Sequence, residues 1–142
     1  MFERAINRQI LARLREPRRF IQVIVGPRQV GKTTSIRQVL EAIEHPSHYV
    51  TADTARLESA AWLDEQWARA RQLSSDSGRR VVLAVDEVQK IPDWRSWVRR
   101  LWDEDSYAGR DVRMLLSGSS PLLMQQGLAE SLAGRPRAVR LW

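Results

Sequence analysis

One stretch decides the predicted fold of this chain, Gly26-Pro27-Arg28-Gln29-Val30-Gly31-Lys32-Thr33, which directly follows the apolar run Ile21-Gln22-Val23-Ile24-Val25. Four residues separate its two glycines, a Lys-Thr pair follows the second, and the context predicts a strand before it and a helix after it. Glycines at both ends let the backbone turn tightly and bring its N–H groups up to phosphate oxygens. The next helix presents its positive end to the same anion. The stretch therefore predicts a phosphate-binding loop.

Two side chains of this loop carry the chemistry. Lys32 is placed to bring a mobile positive charge to the β- and γ-phosphates of a nucleotide, and the Thr33 hydroxyl is placed to ligate Mg²⁺. A loop of this kind predicts a nucleoside triphosphate and Mg²⁺ as ligands.

The composition is typical of one globular domain spanning residues 1–142, with 43% apolar and 28% charged residues. The absence of cysteine excludes disulfides, thiolate zinc sites and a cysteine nucleophile. No apolar run approaches the ~20 residues of a membrane span, and the first residues lack the apolar stretch of a signal peptide. We therefore expect a cytoplasmic protein with no membrane partner.

The net charge of +6 comes almost wholly from arginine, since Lys32 and Lys90 are the only lysines. A nucleic-acid partner is one interpretation of this charge. The arginines are interspersed with acids, however, and form no basic stripe with interleaved aromatics. Nucleic-acid binding therefore rests on charge alone.

Apolar spacing and turn residues predict alternating helices and strands. The predicted elements, in chain order, are a helix at 2–15, a strand at 20–25, a helix at 33–44, a weak strand at 49–52, a helix at 57–73, a loop at 74–78, strands at 81–85 and 111–116, a helix at 121–133 capped by Gly134, and a last strand at 138–142. A further helix begins after Asp93, the expected N-cap, with Trp94, Trp97, Val98, Leu101 and Trp102 on one face. Aromatic residues at this spacing indicate core packing rather than base stacking.

The strand at 81–85 runs straight into two carboxylates, Asp86 and Glu87. Open α/β sheets bind their ligands at this edge. Asp86 is placed to hold Mg²⁺, directly or through water, and Glu87 to orient and deprotonate an attacking water. Two acids after a strand could equally begin a solvated turn, but the phosphate-binding loop favours the functional interpretation.

A run of small hydroxyl residues, Ser117-Gly118-Ser119-Ser120, follows the strand at 111–116. These serines are placed to hydrogen-bond a γ-phosphate or the attacking water. The alternative is that Ser120 caps the next helix, with Pro121 at its first position, and that the others are turn residues.

Four blocks together resemble the AAA-like P-loop ATPase domain of a bacterial and archaeal family. They are GPRQVGKTT at 26–34, DEVQKIPDW at 86–94, SGSS at 117–120 and ESLAGR at 130–135. The resemblance covers essentially the whole chain. It implies an α/β, three-layer P-loop NTPase fold with a five-stranded, mostly parallel sheet, in which another strand separates the acid-bearing strand from the P-loop strand. Family members usually carry a further C-terminal domain of unknown function, and we expect this chain to hold the core without a lid.

The resemblance also implies roles for individual residues. Residues 26–34 match the Walker A loop, so that Gly26, Pro27, Arg28, Gln29, Val30, Gly31, Lys32, Thr33 and Thr34 would bind the nucleotide. Asp86 and Glu87 match the Walker B acids, and Ser117 or Ser119 the polar sensor. Arg135 matches the arginine of the family's Gly-Arg block, which we hypothesise reaches a γ-phosphate in cis or across a subunit interface. On composition alone, Arg135 would be a surface charge.

The sequence thus predicts Mg²⁺-dependent binding and hydrolysis of ATP. The main alternative is a nucleotide-gated interaction module with little or no hydrolysis. A P-loop phosphotransferase is disfavoured because a glutamate directly after Asp86 suits water activation. A second copy of the chain and an unidentified protein both remain open as partners.

Overall fold

The computed structural model describes residues 5–26, 31–52, 61–119 and 136–140, the last as backbone only. The elements in these ranges are helices α1 (Ala5–Arg15), α2 (Lys32–Ala42), α3 (Ala61–Ser77) and α4 (Trp94–Ala108), strands β1 (Ile21–Val25), β2 (Ser47–Thr51), β3 (Val81–Asp86), β4 (Val112–Gly118) and β5 (Pro136–Arg140), and a short 3₁₀ helix at Val88–Lys90.

The strands form one five-stranded sheet in the order β2-β3-β4-β1-β5, and every neighbouring pair is parallel. This confirms the predicted α/β fold with its parallel sheet. Strand β4 separates the acid-bearing strand β3 from β1, as predicted. Because all strands run the same way, their carboxyl ends meet at one edge.

Alternate residues of the strands point to opposite faces of the sheet, and in the described ranges two helices cover each face. Val81, Leu83 and Val85 pack with α3 and α4, where Trp67 and Leu101 are central. On the other face, Val82 and Ala84 pack with apolar side chains of α1 and α2. The two helical layers and the sheet between them make the three-layer arrangement.

The aromatic face of α4 belongs to the core, as predicted. Trp94 and Trp102 are buried, and Trp97 packs against the same cluster from its edge. Asp93 does occupy the N-cap position, but its side chain makes no capping hydrogen bond. The Asp93 backbone is left-handed, with φ of 55°, and the predicted N-cap position is confirmed.

The prediction of a loop at 74–78 is wrong for residues 74–77, because α3 continues to Ser77. Only Gly78 lies outside the helix. Gln72 Nε2 donates to Asp76 Oδ1 one turn later at 2.7 Å, which supports the helix where a loop was predicted. Gly78 then ends the helix with φ of +64°, and its N–H donates to the Ser74 carbonyl. Small polar residues thus form the last helical turn and its cap.

Other boundaries differ modestly. The weak strand predicted from residue 49 begins two residues earlier, at Ser47, and β5 begins at Pro136. The predicted start of helix 57–73, the helix at 121–133 and the cap at Gly134 lie outside the described residues. Within the described ranges, no helix combines the length and apolar character needed to cross a membrane.

A buried carboxylate ties α3 to α4. Asp105 is fully buried, and its Oδ2 accepts a hydrogen bond from Trp67 Nε1 at 2.7 Å. Its Oδ1 accepts from Arg71 Nε at 2.7 Å and from Arg110 Nη1 at 3.3 Å. A carboxylate buried without such donors would be strongly unfavourable, so this cluster fixes how the two helices pack.

We expect Asp105→Ala to lower the free energy of unfolding by about 2–3 kcal/mol, because it leaves the Trp67 Nε1–H and the Arg71 Nε–H without their acceptor. The matched control is Glu104→Ala, which removes an exposed carboxylate on the same helix and should change stability by no more than about 0.5 kcal/mol. Urea unfolding followed by tryptophan fluorescence measures both. Equal losses would show that Asp105 has no special role in packing.

Candidate functional site

The candidate site lies where β1, β3 and β4 end and α2 begins. The Gly26 N–H donates to the Gly118 carbonyl at 3.2 Å, which joins the chain after β1 to the end of β4. Gly31 precedes α2 in the left-handed conformation, with φ of 87°, and its carbonyl accepts from the Ser35 N–H at 2.9 Å. A glycine meets this backbone requirement without a side-chain clash. The first turn of α2, with the positive end of its helix dipole, therefore faces this edge of the sheet.

Asp86 is the last residue of β3 and is held by three hydroxyl groups. Ser117 Oγ donates to its Oδ1. Thr33 Oγ1 and Tyr49 OH both donate to its Oδ2, at 2.6 and 2.9 Å. The residue is only 3% exposed, and a buried carboxylate is stable only when donors of this kind replace water. The three hydroxyls come from α2, β2 and β4, so Asp86 joins three elements.

Glu87 leaves the strand in a strained conformation, with φ of 57°. Such left-handed backbone is uncommon in residues other than glycine and is concentrated at functional sites. The Glu87 N–H donates to Ser117 Oγ at 3.2 Å, and the Glu87 carbonyl accepts from the Lys90 N–H at 3.1 Å. These bonds hold the turn that carries the Glu87 side chain away from the line of the strand.

The Glu87 carboxylate is engaged at both oxygens. Oε1 lies 3.6 Å from Lys32 Nζ, and both side chains are almost fully buried. Oε2 accepts from Ser119 Oγ and from Gln89 Nε2, each at 2.6 Å. Burial strengthens the attraction between opposite charges, so Lys32 and Glu87 form a buried ion pair at the base of the site.

The structure brings together six of the residues that the sequence indicated, namely Lys32, Thr33, Asp86, Glu87, Ser117 and Ser119. Gly26 and Gly31 stand at the two ends of the predicted loop, and Thr34 is exposed in the first turn of α2. The remaining predicted positions, Pro27, Arg28, Gln29, Val30 and Arg135, lie outside the described residues.

Two residues in contact with the site acids were missed by the sequence analysis. Tyr49 reaches Asp86 from β2 because that strand pairs with β3, a pairing that the sequence does not reveal. Gln89 contacts both Glu87 and Ser119. The sequence feature that could have indicated Gln89 is its place in the block at 86–94, two residues after Glu87.

Burial and the hydrogen bond to Asp86 raise the pKa of Tyr49 to about 12. The Tyr49 hydroxyl therefore stays protonated at neutral pH and remains a donor to the carboxylate. The guanidinium of Arg37, an exposed residue of α2, lies 5.5 Å from the centre of the Tyr49 ring. A protonated phenol beside Asp86 keeps that carboxylate oriented without adding charge.

The oxygen atoms of Thr33 and Asp86 fit a magnesium ion. Mg²⁺ prefers hard oxygen ligands and usually takes only one or two from protein side chains, with water and phosphate completing its shell. The Thr33 hydroxyl and the Asp86 carboxylate are already 2.6 Å apart. Among the described residues, no group of three or more acidic or histidine side chains forms a complete metal cage.

Comparison with known proteins gives a consistent result. A family model described as an AAA domain matches residues 18–142. Uncharacterized proteins of Mycobacterium tuberculosis and Mycobacterium bovis are each 35% identical over 138 residues, which cover 95% of this chain and 28% of the relative. An uncharacterized protein of Methanocaldococcus jannaschii is 31% identical over 135 residues, with 93% and 28% covered. The chain thus spans under a third of the length of these relatives. The match to the AAA domain model indicates nucleotide binding.

We expect Ser117→Ala to destabilise the protein by about 1–3 kcal/mol, because it leaves the Glu87 N–H and one Asp86 oxygen without their buried partner. Ser119→Ala is the matched control. Ser119 is only partly buried, so water can replace its hydroxyl, and the loss should be below about 1 kcal/mol. Chemical unfolding of the two variants makes the comparison, and a larger loss for Ser119→Ala would contradict the central place given to Ser117.

Proposed function

The chain belongs to the AAA domain family, and we propose that it binds ATP with Mg²⁺ and hydrolyses it. The observation that carries this proposal is the buried constellation of Lys32, Asp86 and Glu87 at the carboxyl edge of the sheet, beside the start of α2. A cation, a metal-binding carboxylate and a carboxylate able to act on water are the groups that phosphoryl transfer to water requires.

The first role is to bind the triphosphate. Residues 26–34 match a Walker A loop, and the first turn of α2 offers N–H groups and the positive end of the helix to phosphate oxygens. Lys32, a flexible ammonium with three donors, would turn from Glu87 to the β- and γ-phosphates. Thr34, exposed in the same turn, would lie near the nucleotide. Lys32 and these N–H groups would also stabilise charge that develops in the transition state.

Thr33 and Asp86 would hold Mg²⁺, directly or through water. When bound, this ion would neutralise negative charge on the phosphates. The hydroxyls of Ser117 and Tyr49 would meanwhile keep the Asp86 carboxylate oriented, because they donate to both of its oxygens. Tyr49 remains a neutral donor throughout.

Glu87 would act as the general base. Its Oε1 faces Lys32, so movement of the lysine to a phosphate would free this oxygen to accept a proton from the attacking water. Ser119 lies against the other oxygen and would serve as the polar sensor, with Ser117 holding the backbone of Glu87. We further propose Arg135 as an arginine that reaches the γ-phosphate in cis or from a second copy, a role supported by its Gly-Arg motif.

A second candidate is a nucleotide-gated interaction module with little hydrolysis. It is favoured by the engagement of both Glu87 oxygens, which leaves no free carboxylate oxygen for water until Lys32 moves. In this case ATP would bind tightly and a partner protein would read the bound state. The two candidates differ in the rate of phosphate release rather than in nucleotide affinity.

We expect Glu87→Gln to retain Mg-ATP binding, or to tighten it because Lys32 no longer has to leave a carboxylate, while phosphate release falls by about 10²–10⁴-fold because the general base is lost. Lys32→Ala should instead abolish ATP binding, since it removes the charge that meets the phosphates. A fluorescent ATP analogue and a phosphate-release assay measure the two effects. Unchanged turnover in Glu87→Gln would remove Glu87 from the mechanism, and tight binding with negligible release in the wild type would favour the second candidate.

We expect Tyr49→Phe to raise the Mg²⁺ concentration needed for half-maximal ATP binding by about tenfold, because Asp86 loses a donor that orients it. Titration of Mg²⁺ at fixed nucleotide analogue measures this shift directly. Binding of the analogue without Mg²⁺ is the internal control and should not change. An unaltered Mg²⁺ dependence would limit Tyr49 to a packing role.

A further inference from the structure

We propose that Gln89 is a positioning residue that, with Ser119, fixes the carboxylate of Glu87 for proton abstraction from water. This inference rests on the proposed function, since it concerns how the same base is oriented. Its core is a closed ring of three side chains, those of Glu87, Gln89 and Ser119. We call this ring the glutamate clasp.

The contacts of the glutamate clasp converge on one atom. Gln89 Nε2 and Ser119 Oγ both donate to Glu87 Oε2 at 2.6 Å. Gln89 Nε2 also donates to Ser119 Oγ at 3.2 Å, so the two donors hold each other as well as the acid. Two donors on one oxygen fix the rotation of a carboxylate, and Oε1 is left facing Lys32. The clasp therefore determines which oxygen is presented to the site.

The backbone around Gln89 is held close to Glu87 by a short helix. Gln89 lies in the 3₁₀ helix Val88–Lys90, which follows the left-handed Glu87 at once. The Ile91 N–H donates to the Val88 carbonyl at 3.0 Å, and both of these side chains are buried in the core. The short helix therefore fixes the Gln89 backbone two residues after Glu87, and the two hydrogen bonds of Gln89 Nε2 hold its amide against Glu87 and Ser119.

Only one end of the Gln89 amide, the donor Nε2, makes hydrogen bonds to described residues. Within the described part of the chain, its Oε1 is buried and has no hydrogen-bond partner. A buried amide oxygen without a partner is unfavourable, and an apolar side chain of the same length would avoid it. The donor end is nevertheless bound to the proposed base and to Ser119, which supports a role in orienting Glu87 rather than in packing.

The test compares Gln89→Met, which keeps the length of the side chain and removes its donors, with wild type. The expected result is a fall in kcat for phosphate release of about 10²-fold, as small misplacements of reacting groups cause. KM and the dissociation constant for Mg-ATP should stay within about twofold, because Gln89 acts through Glu87. The matched control, Gln72→Met, alters an exposed glutamine on α3 and should leave kcat unchanged.

A double-mutant cycle separates positioning from a structural role. In the Glu87→Gln background, single-turnover measurements should show that Gln89→Met causes no further loss, because the base that it orients is already gone. An equal loss in both backgrounds would overturn the inference. So would a rise in KM with kcat unchanged, which would place Gln89 in nucleotide binding.

If the wild-type protein binds ATP but releases no phosphate, the proposed hydrolysis is wrong, and this outcome is distinct from failure of the proposal for Gln89. In that case the glutamate clasp is tested by ¹⁵N spectra of glutamine side-chain amides. The Gln89 signals are identified by their disappearance in Gln89→Met, and they should shift clearly in Ser119→Ala and in Glu87→Gln. Signals that do not move in either variant would show that the clasp does not exist in solution.

Discussion

The hydroxyl of Ser117 is the contact on which the site depends. It donates to the Asp86 carboxylate and accepts from the Glu87 N–H, so one atom holds both acids. This is possible because β4 pairs directly with β3, and the other neighbour of β4 in the sheet is β1. The next residue, Gly118, accepts from Gly26 and so ties the same strand end to the start of the predicted loop. The order of these three parallel strands thus determines which groups meet at the charged site.

Removing the two carboxylates from water is unfavourable, and the site compensates each of them in a different way. Asp86 is surrounded by neutral hydroxyls, which satisfy its oxygens without cancelling its charge. Glu87 is instead paired with the ammonium of Lys32. Removing one partner of a buried pair leaves an uncompensated charge, which is strongly unfavourable. In the proposed function, Asp86 would therefore stay in place when a cation arrives, whereas Lys32 and Glu87 would have to exchange partners together.

The sequence predicted the features that depend on local pattern. It placed Lys32 directly before a helix that begins at Thr33, and Asp86 directly after a buried strand, because strand and helix periodicities are visible in single segments. It missed Tyr49, whose contact with Asp86 arises only from the pairing of β2 with β3. It also predicted a loop at 74–78, because serine and aspartate are typical of both loops and helix ends. Contacts across strands and the choice between cap and loop are decided by tertiary structure.

The pairing of Lys32 with Glu87 has a consequence for the order of events in the proposed reaction. A phosphate group that takes Lys32 must compete with Glu87 Oε1, so part of the binding free energy is spent on breaking the ion pair. The same exchange frees that oxygen, while Oε2 stays bound to Ser119 and Gln89. Nucleotide binding and exposure of the base are then one coupled step. Water would meet a free base only when a triphosphate is already in place, which suits an enzyme that must not act on an empty site.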